Sequence, residues 1–119
     1  MQTIQQPPLA EGEKYGFAIG DKNGNLYHVI LLPGDSDRAG WQAQMDWAKS
    51  IGGDLPTRAE QALLWQEHRN EFETEAYWSN AIEEDDADYA WCQLFSYGHQ
   101  SYGHKSNGLR ARAVRRLPI

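Results

Sequence analysis

A chain of 119 residues with a formal net charge of -6 and a pI near 5.1 is long enough to enclose one hydrophobic core and repels a phosphate backbone at long range. No apolar run nears the ~20 residues of a membrane-crossing helix, and MQTIQQPPLAEGE has neither the basic nor the apolar region of an export signal, so membrane insertion and Sec-type export are not expected. Cys92 is the single cysteine, which excludes an intrachain disulfide and a zinc site built on several thiolates.

Residues 1–12, with adjacent prolines and little apolar content, read as a flexible or extended arm ahead of a single domain over 13–119. Tyr15, Phe17 and Ile19 alternate at the strand period, and an Asn-Gly turn leads into Leu26 to Leu32, apolar on both faces except at His28. A hairpin with a centrally buried second strand follows. Asp35-Ser36-Asp37 offers capping oxygens for a helix on RAGWQAQMDWAKSIGG, with Trp41, Met45 and Ala48 on one stripe and Gly52-Gly53 as the stop. Thr57 followed by Glu60 is a capping box, and Ala59, Ala62, Leu63 and Gln66 trace one face of a second helix ending near His68 to Asn70, with Leu64 and Trp65 widening its apolar side.

From Tyr77 short strands are expected: YWSN, DYAWCQLF, a polar Gly-Tyr-His stretch and LRARAVRRL. In the second of these, Tyr89, Trp91, Gln93 and Phe95 form an aromatic face opposite Ala90, Cys92 and Leu94. The expected architecture is an α+β domain, β-β-α-α-β-β-β, in which two helices flank an antiparallel sheet.

GGDLPTRAEQALLW, then YWSN, AWCQLFSYG and KSNGLRARAVRRL, resembles in its order of motifs a family of unknown function common in bacteria, phages and prophages. The C-terminal domain of the collagen-like adhesin Lcl belongs to that family, and the chain looks most like its short stand-alone phage and prophage members. The resemblance implies a C-type-lectin-like fold, with Tyr15 to Ile19 near Leu109 to Arg116 and a long loop region presenting a ligand site. It further implies a protein that is cytoplasmic in the bacterial host or incorporated in a virion. The chain carries neither a Glu-Pro-Asn nor a Trp-Asn-Asp motif, so calcium-dependent sugar binding is not part of what it implies.

Glu83-Glu84-Asp85-Asp86 with Asp88 lacks EF-hand spacing and reads as a solvated acidic loop rather than a calcium site. His99 and His104 lack the thiolate or Glu-x-x-His support that zinc requires. Cys92, on the small-residue side of its strand, reads as a buried inert thiol, and no motif of nucleophilic, metal or nucleotide catalysis is found. Arg110, Arg112, Arg115 and Arg116 find their explanation in carboxylate partners rather than phosphate. Neither a metal nor another cofactor is expected, and nucleic acid is not expected as a partner.

The segment between Phe95 and Leu109 holds no aliphatic side chain, is longer than hairpin closure requires, and has the Tyr-Ser-Gly-Asn composition of adaptable recognition loops. Tyr97, His99, Gln100, Tyr102, His104 and Asn107 are the candidate ligand-binding residues. The function expected is that of a non-enzymatic phage- or prophage-associated binding module, a virion accessory or receptor-facing protein that recognises a protein or glycan. The alternative is an intracellular interaction or inhibitor protein engaging a host or phage protein. Assembly into a homo-oligomer stays open.

Overall fold

The computed structural model describes residues 4–119. Two antiparallel strands open the domain, β1 (Lys14–Gly20) and β2 (Leu26–Leu31), followed by β3 (Ser36–Ala39) and the helices α1 (Trp41–Ser50) and α2 (Arg58–His68). A helical turn over Arg69–Glu71 leads into β4 (Ala76–Ile82), β5 (Tyr89–Leu94), β6 (Gln100–His104), β7 (Leu109–Ala111) and β8 (Val114–Pro118). The α+β class holds, but the strands form two sheets: a three-stranded one in the order β1-β2-β8 and a five-stranded one in the order β3-β7-β4-β5-β6. Residues 4–12 carry no helix or strand and end in a turn at Glu11–Gly12; the part of the expected arm over residues 1–3 lies outside the described residues.

Several expectations are corrected. The Asp35-Ser36-Asp37 segment does not cap α1. It lies at strand β3 and pairs with β7, while Gly40 holds the N-cap of α1 without a side-chain bond. LRARAVRRL is two strands, because the chain leaves the five-stranded sheet after Ala111 and joins the three-stranded one at Val114. The larger sheet is not wholly antiparallel, since β4 and β7 run parallel where Tyr77 faces Arg110. Tyr15 to Ile19 and the final strand share a sheet, but β2 lies between them, with Val29 opposite Arg116. The expected central burial of β2 holds, and Val29 to Leu32 are all buried.

Helix α1 packs on one side of the five-stranded sheet through a core of Trp41, Ala48, Trp78, Ala90 and Cys92. Helix α2 packs where the two sheets meet, and Leu64 shares a cluster with Val29, Leu31, Tyr77, Phe95 and Val114. The capping box at Thr57 forms as expected, with Glu60 N–H donating to Thr57 Oγ1 and Thr57 N–H to Glu60 Oε1. The inner face of α2 matches the expected apolar side only in part, at Leu64. Ala59, Ala62 and Gln66 are exposed, and the buried residues are Glu60, Gln61 and Leu64. Polar side chains can sit inside when their bonds are met there, as Glu60's are, while Gln61 is bonded through its nitrogen and its Oε1 has no partner among the described residues. Gln61 Nε2 donates to the carbonyls of Tyr77 and Trp78, and fully buried Glu60 accepts from Arg116 and Tyr27.

Candidate functional site

Helix α2 begins at Arg58 and so leaves part of the sheet beyond its first turn uncovered. Cross-strand pairing aligns Tyr89 with His104, Trp91 with Tyr102 and Gln93 with Gln100, which puts all six side chains on the α2 side of β5 and β6. The row is graded: Gln93 is buried, Trp91 half-buried, and Tyr102 is 55% exposed. Tyr102 meets Trp91 edge to face at a centroid distance of 5.1 Å, and Tyr89 meets His104 at 5.4 Å. The result is an aromatic ledge whose rings hold one another upright.

Arg58 closes the inner end. Its guanidinium lies 3.5 Å above the Trp91 ring, its Nε donates to Gln100 Oε1 at 3.0 Å, and its carbonyl accepts from Gln100 Nε2 at 2.6 Å. Gln93 Oε1 also accepts from Gln100 Nε2, so the two glutamines and Arg58 are one bonded unit. Beside Trp91 a shallow cleft of about 220 Å³ is lined by Arg58, Ala81, Ile82, Glu83, Glu84 and Trp91. A planar cation, an indole face and two carboxylates thus border one concave surface.

The six candidate residues divide. Gln100, Tyr102 and His104 stand on the ledge. Tyr97 lies in the β5–β6 turn, 82% exposed, where Gly98 adopts φ +89° and lies so close to Trp65 that a Cβ would stand 2.4 Å from the ring. His99 lies beside that turn, its carbonyl accepting from Leu94 N–H, and Asn107 lies past β6, where its N–H donates to His104 O. None of these three joins the ledge. Trp91, Tyr89 and Arg58 do, and they were not among the candidates. The alternating aromatics of DYAWCQLF mark the face of β5 that carries the ledge.

The acidic run 83–88 forms the β4–β5 loop. Glu83 Oε2 accepts from Asp85 N–H and Asp86 Oδ1 from Asp88 N–H, so these carboxylates cap their own turns. Among the described residues no group of three or more His, Cys, Asp or Glu side chains is placed to hold a metal ion. Cys92 is buried, and that burial pushes its thiol up from its ordinary value. The arginine cluster is internally matched: Arg110 pairs with Asp35 and Glu75, Arg115 with Glu13, and Arg116 with Asp54 and Glu60. Arg112 departs from the expected carboxylate pairing and donates to the carbonyls of Glu71 and Leu32. No helix of the described residues is long and apolar enough to cross a membrane. No protein-family model matches the chain, and no curated protein sequence matches it.

Proposed function

We propose that the chain is a non-enzymatic binding module, C-type-lectin-like in fold and phage- or prophage-associated, that recognises a protein or glycan through the β5–β6 ledge. The observation that carries this reading is the ring row of half-buried Tyr89 and Trp91 and exposed Tyr102, clamped by Arg58 and bordered by a cleft. Aromatic rings with few rotatable bonds lose little entropy on binding, and prior fixation by Arg58 and Gln100 lowers that cost further. Residence in the bacterial host's cytoplasm, or incorporation in a virion as a receptor-facing part, belongs to the same reading. Internal matching of the arginines supports the exclusion of nucleic acid, because each is held by carboxylates or backbone carbonyls.

The second reading, an intracellular interaction or inhibitor protein, is favoured by the acidic loop, whose carboxylates make no ion pair among the described residues and border the ledge. Immobilised protein challenged with host lysate and with a glycan array tests the site. Species held by the wild type and by Tyr97→Ala but lost from Tyr102→Ala and Arg58→Ala are the expected result. Equal retention by all four would sink the ledge as the binding site, and purified virions that contain the chain would favour the first reading over the second.

A further inference from the structure

Four strand edges bound the two sheets, and three of them are blocked. On β1 the register shifts between Tyr15 and Phe17, and the Gly16 carbonyl is bonded to His68 Nε2 at 2.8 Å. Along β8 Pro118 and two arginines interrupt the edge, and Asp54 bridges Val114 through both backbone bonds. Strand β3 is only four residues long, is irregular between Ser36 and Ala39, and gives the carbonyl of Asp37 to Gln44. These are the devices by which proteins keep sheet edges from pairing with other chains.

Before its last residue, strand β6 has none of them. It pairs with β5 over five consecutive residues without a shift, and QSYGH contains no Lys, Arg or Pro. The bonds Leu94 N–H to His99 O and Lys105 N–H to Asp88 O fix the phase of the ladder: residues 99, 101, 103 and 105 point their backbone groups at β5. The N–H groups of Gln100, Tyr102 and His104 and the carbonyls of Gln100 and Tyr102 therefore point outward, while the His104 carbonyl accepts from Asn107. The residues with free backbone groups are the ones whose side chains stand on the ledge.

Charge selects what fits there. The acidic loop abuts the His104 end of β6 through the Lys105–Asp88 bond, and among the described residues none of its five carboxylates forms an ion pair. The two nearby cations are engaged elsewhere, Lys105 over the Trp41 ring and Arg58 over Trp91. We infer that β6 is a docking edge for an extended, lysine- or arginine-bearing segment of a partner protein, which adds to the sheet as a sixth strand. This rests on the ledge reading and narrows it to a protein partner. An added strand lies about 4.8 Å from β6, so alternate side chains of the segment stand beside Gln100, Tyr102 and His104 while basic residues at its end reach the loop.

The probe is a short peptide of alternating threonine and lysine, with a glutamate-for-lysine counterpart, read by residue-resolved amide hydrogen exchange. The lysine peptide slows exchange at Gln100, Tyr102 and His104, binds more weakly as salt is added, and weakens when Asp85→Asn and Asp86→Asn are combined. Tyr102→Pro deletes an outward N–H that β5 does not use, whereas Tyr102→Thr removes the same ring and keeps the N–H. The expected Kd for Tyr102→Pro is about tenfold weaker than for Tyr102→Thr. Retained protection of Ala90 and Cys92 confirms that the β5–β6 ladder survives the proline, and His104→Pro supplies a second variant with the ring intact. Equal loss in the Pro and Thr variants would overturn the docking edge yet leave the ledge reading standing. Equal binding of the glutamate peptide, or no protection by either peptide, overturns the proposal. So does protection of these three amides in unliganded protein that sediments as a dimer, which would assign the edge to a second copy.

Discussion

Carboxylates, tyrosines and arginines occur in two regions of this molecule and meet opposite fates. Around α2 and β8, Glu60 accepts from Tyr27, from Thr57 N–H and twice from Arg116, which also reaches Asp54 and the Leu55 carbonyl. There the polar groups satisfy one another: burial and then the bond to Glu60 push Tyr27 up to about 12, and the bonds of Arg116 to Glu60 and Asp54 outweigh a burial that alone would lower it. Along β5, β6 and the acidic loop the same residue types are left with unused capacity. Burial with extensive matching specifies the fold, and exposure with incomplete matching is what remains for a partner.

The largest effect expected from breaking this contrast is in the matched region. Glu60→Ala leaves Arg116 half-paired and undoes the capping box, and a loss of about 3–5 kcal/mol is expected in denaturant melts. Binding by the fraction that stays folded should be unchanged. Gly98→Ala forces a Cβ toward the Trp65 ring at a positive φ, with an expected cost of about 2–4 kcal/mol, read as a lower melting temperature. Thr57→Ala removes one half of the capping box and should lower the denaturation midpoint by the equivalent of about 0.5–2 kcal/mol.

How far the sequence carried follows from the same contrast. The capping box, the β1–β2 hairpin and the aromatic face of β5 were legible because local chemistry and period two specify them. The inner face of α2 was not, since Glu60 and Gln61 look like solvent residues until Arg116 and the carbonyls of Tyr77 and Trp78 are brought to them from later in the chain. Strand β3 was missed because Asp35-Ser36-Asp37 suits a cap as well as a strand end, and only pairing with β7 decides between them. Half of the candidate site was legible: the Tyr-rich segment was found, but its sheet neighbour Trp91 and its clamp Arg58 lie 11 and 44 positions before Tyr102.

On the ledge the order of effects reverses. Tyr102→Ala should lower stability by only about 0.5 kcal/mol, the scale of one cross-strand pair, yet cost more than ~1 kcal/mol of partner affinity. Calorimetry and titration of the same variant would separate the two. Acid gives the gentlest test. Hydrogen bonds from Arg115, Lys14 and Arg110 hold Glu13, Glu71 and Glu75 below their ordinary value of 4.5. Their contribution is present above pH 4.5 and is lost as pH falls through the lowered values, so the melting temperature should decline below that point. Arg115→Gln should flatten the decline.

The switch of sheets between Ala111 and Val114 has a consequence for the order of events in folding. Strand β7 is the interior link between β3 and β4, and β8 supplies an edge of the other sheet, so neither sheet can close before residues 109–118 are free to pair. The polar hub waits on the same stretch, because Arg116 lies 56 positions after Glu60. A nascent chain can form the β1–β2 hairpin, the two helices and the β4–β5–β6 ladder early, but both sheets lack a strand and Glu60 lacks Arg116 until that late segment arrives. Folding should therefore be cooperative and limited by distant pairing rather than by local structure, with no stable half-domain along the way.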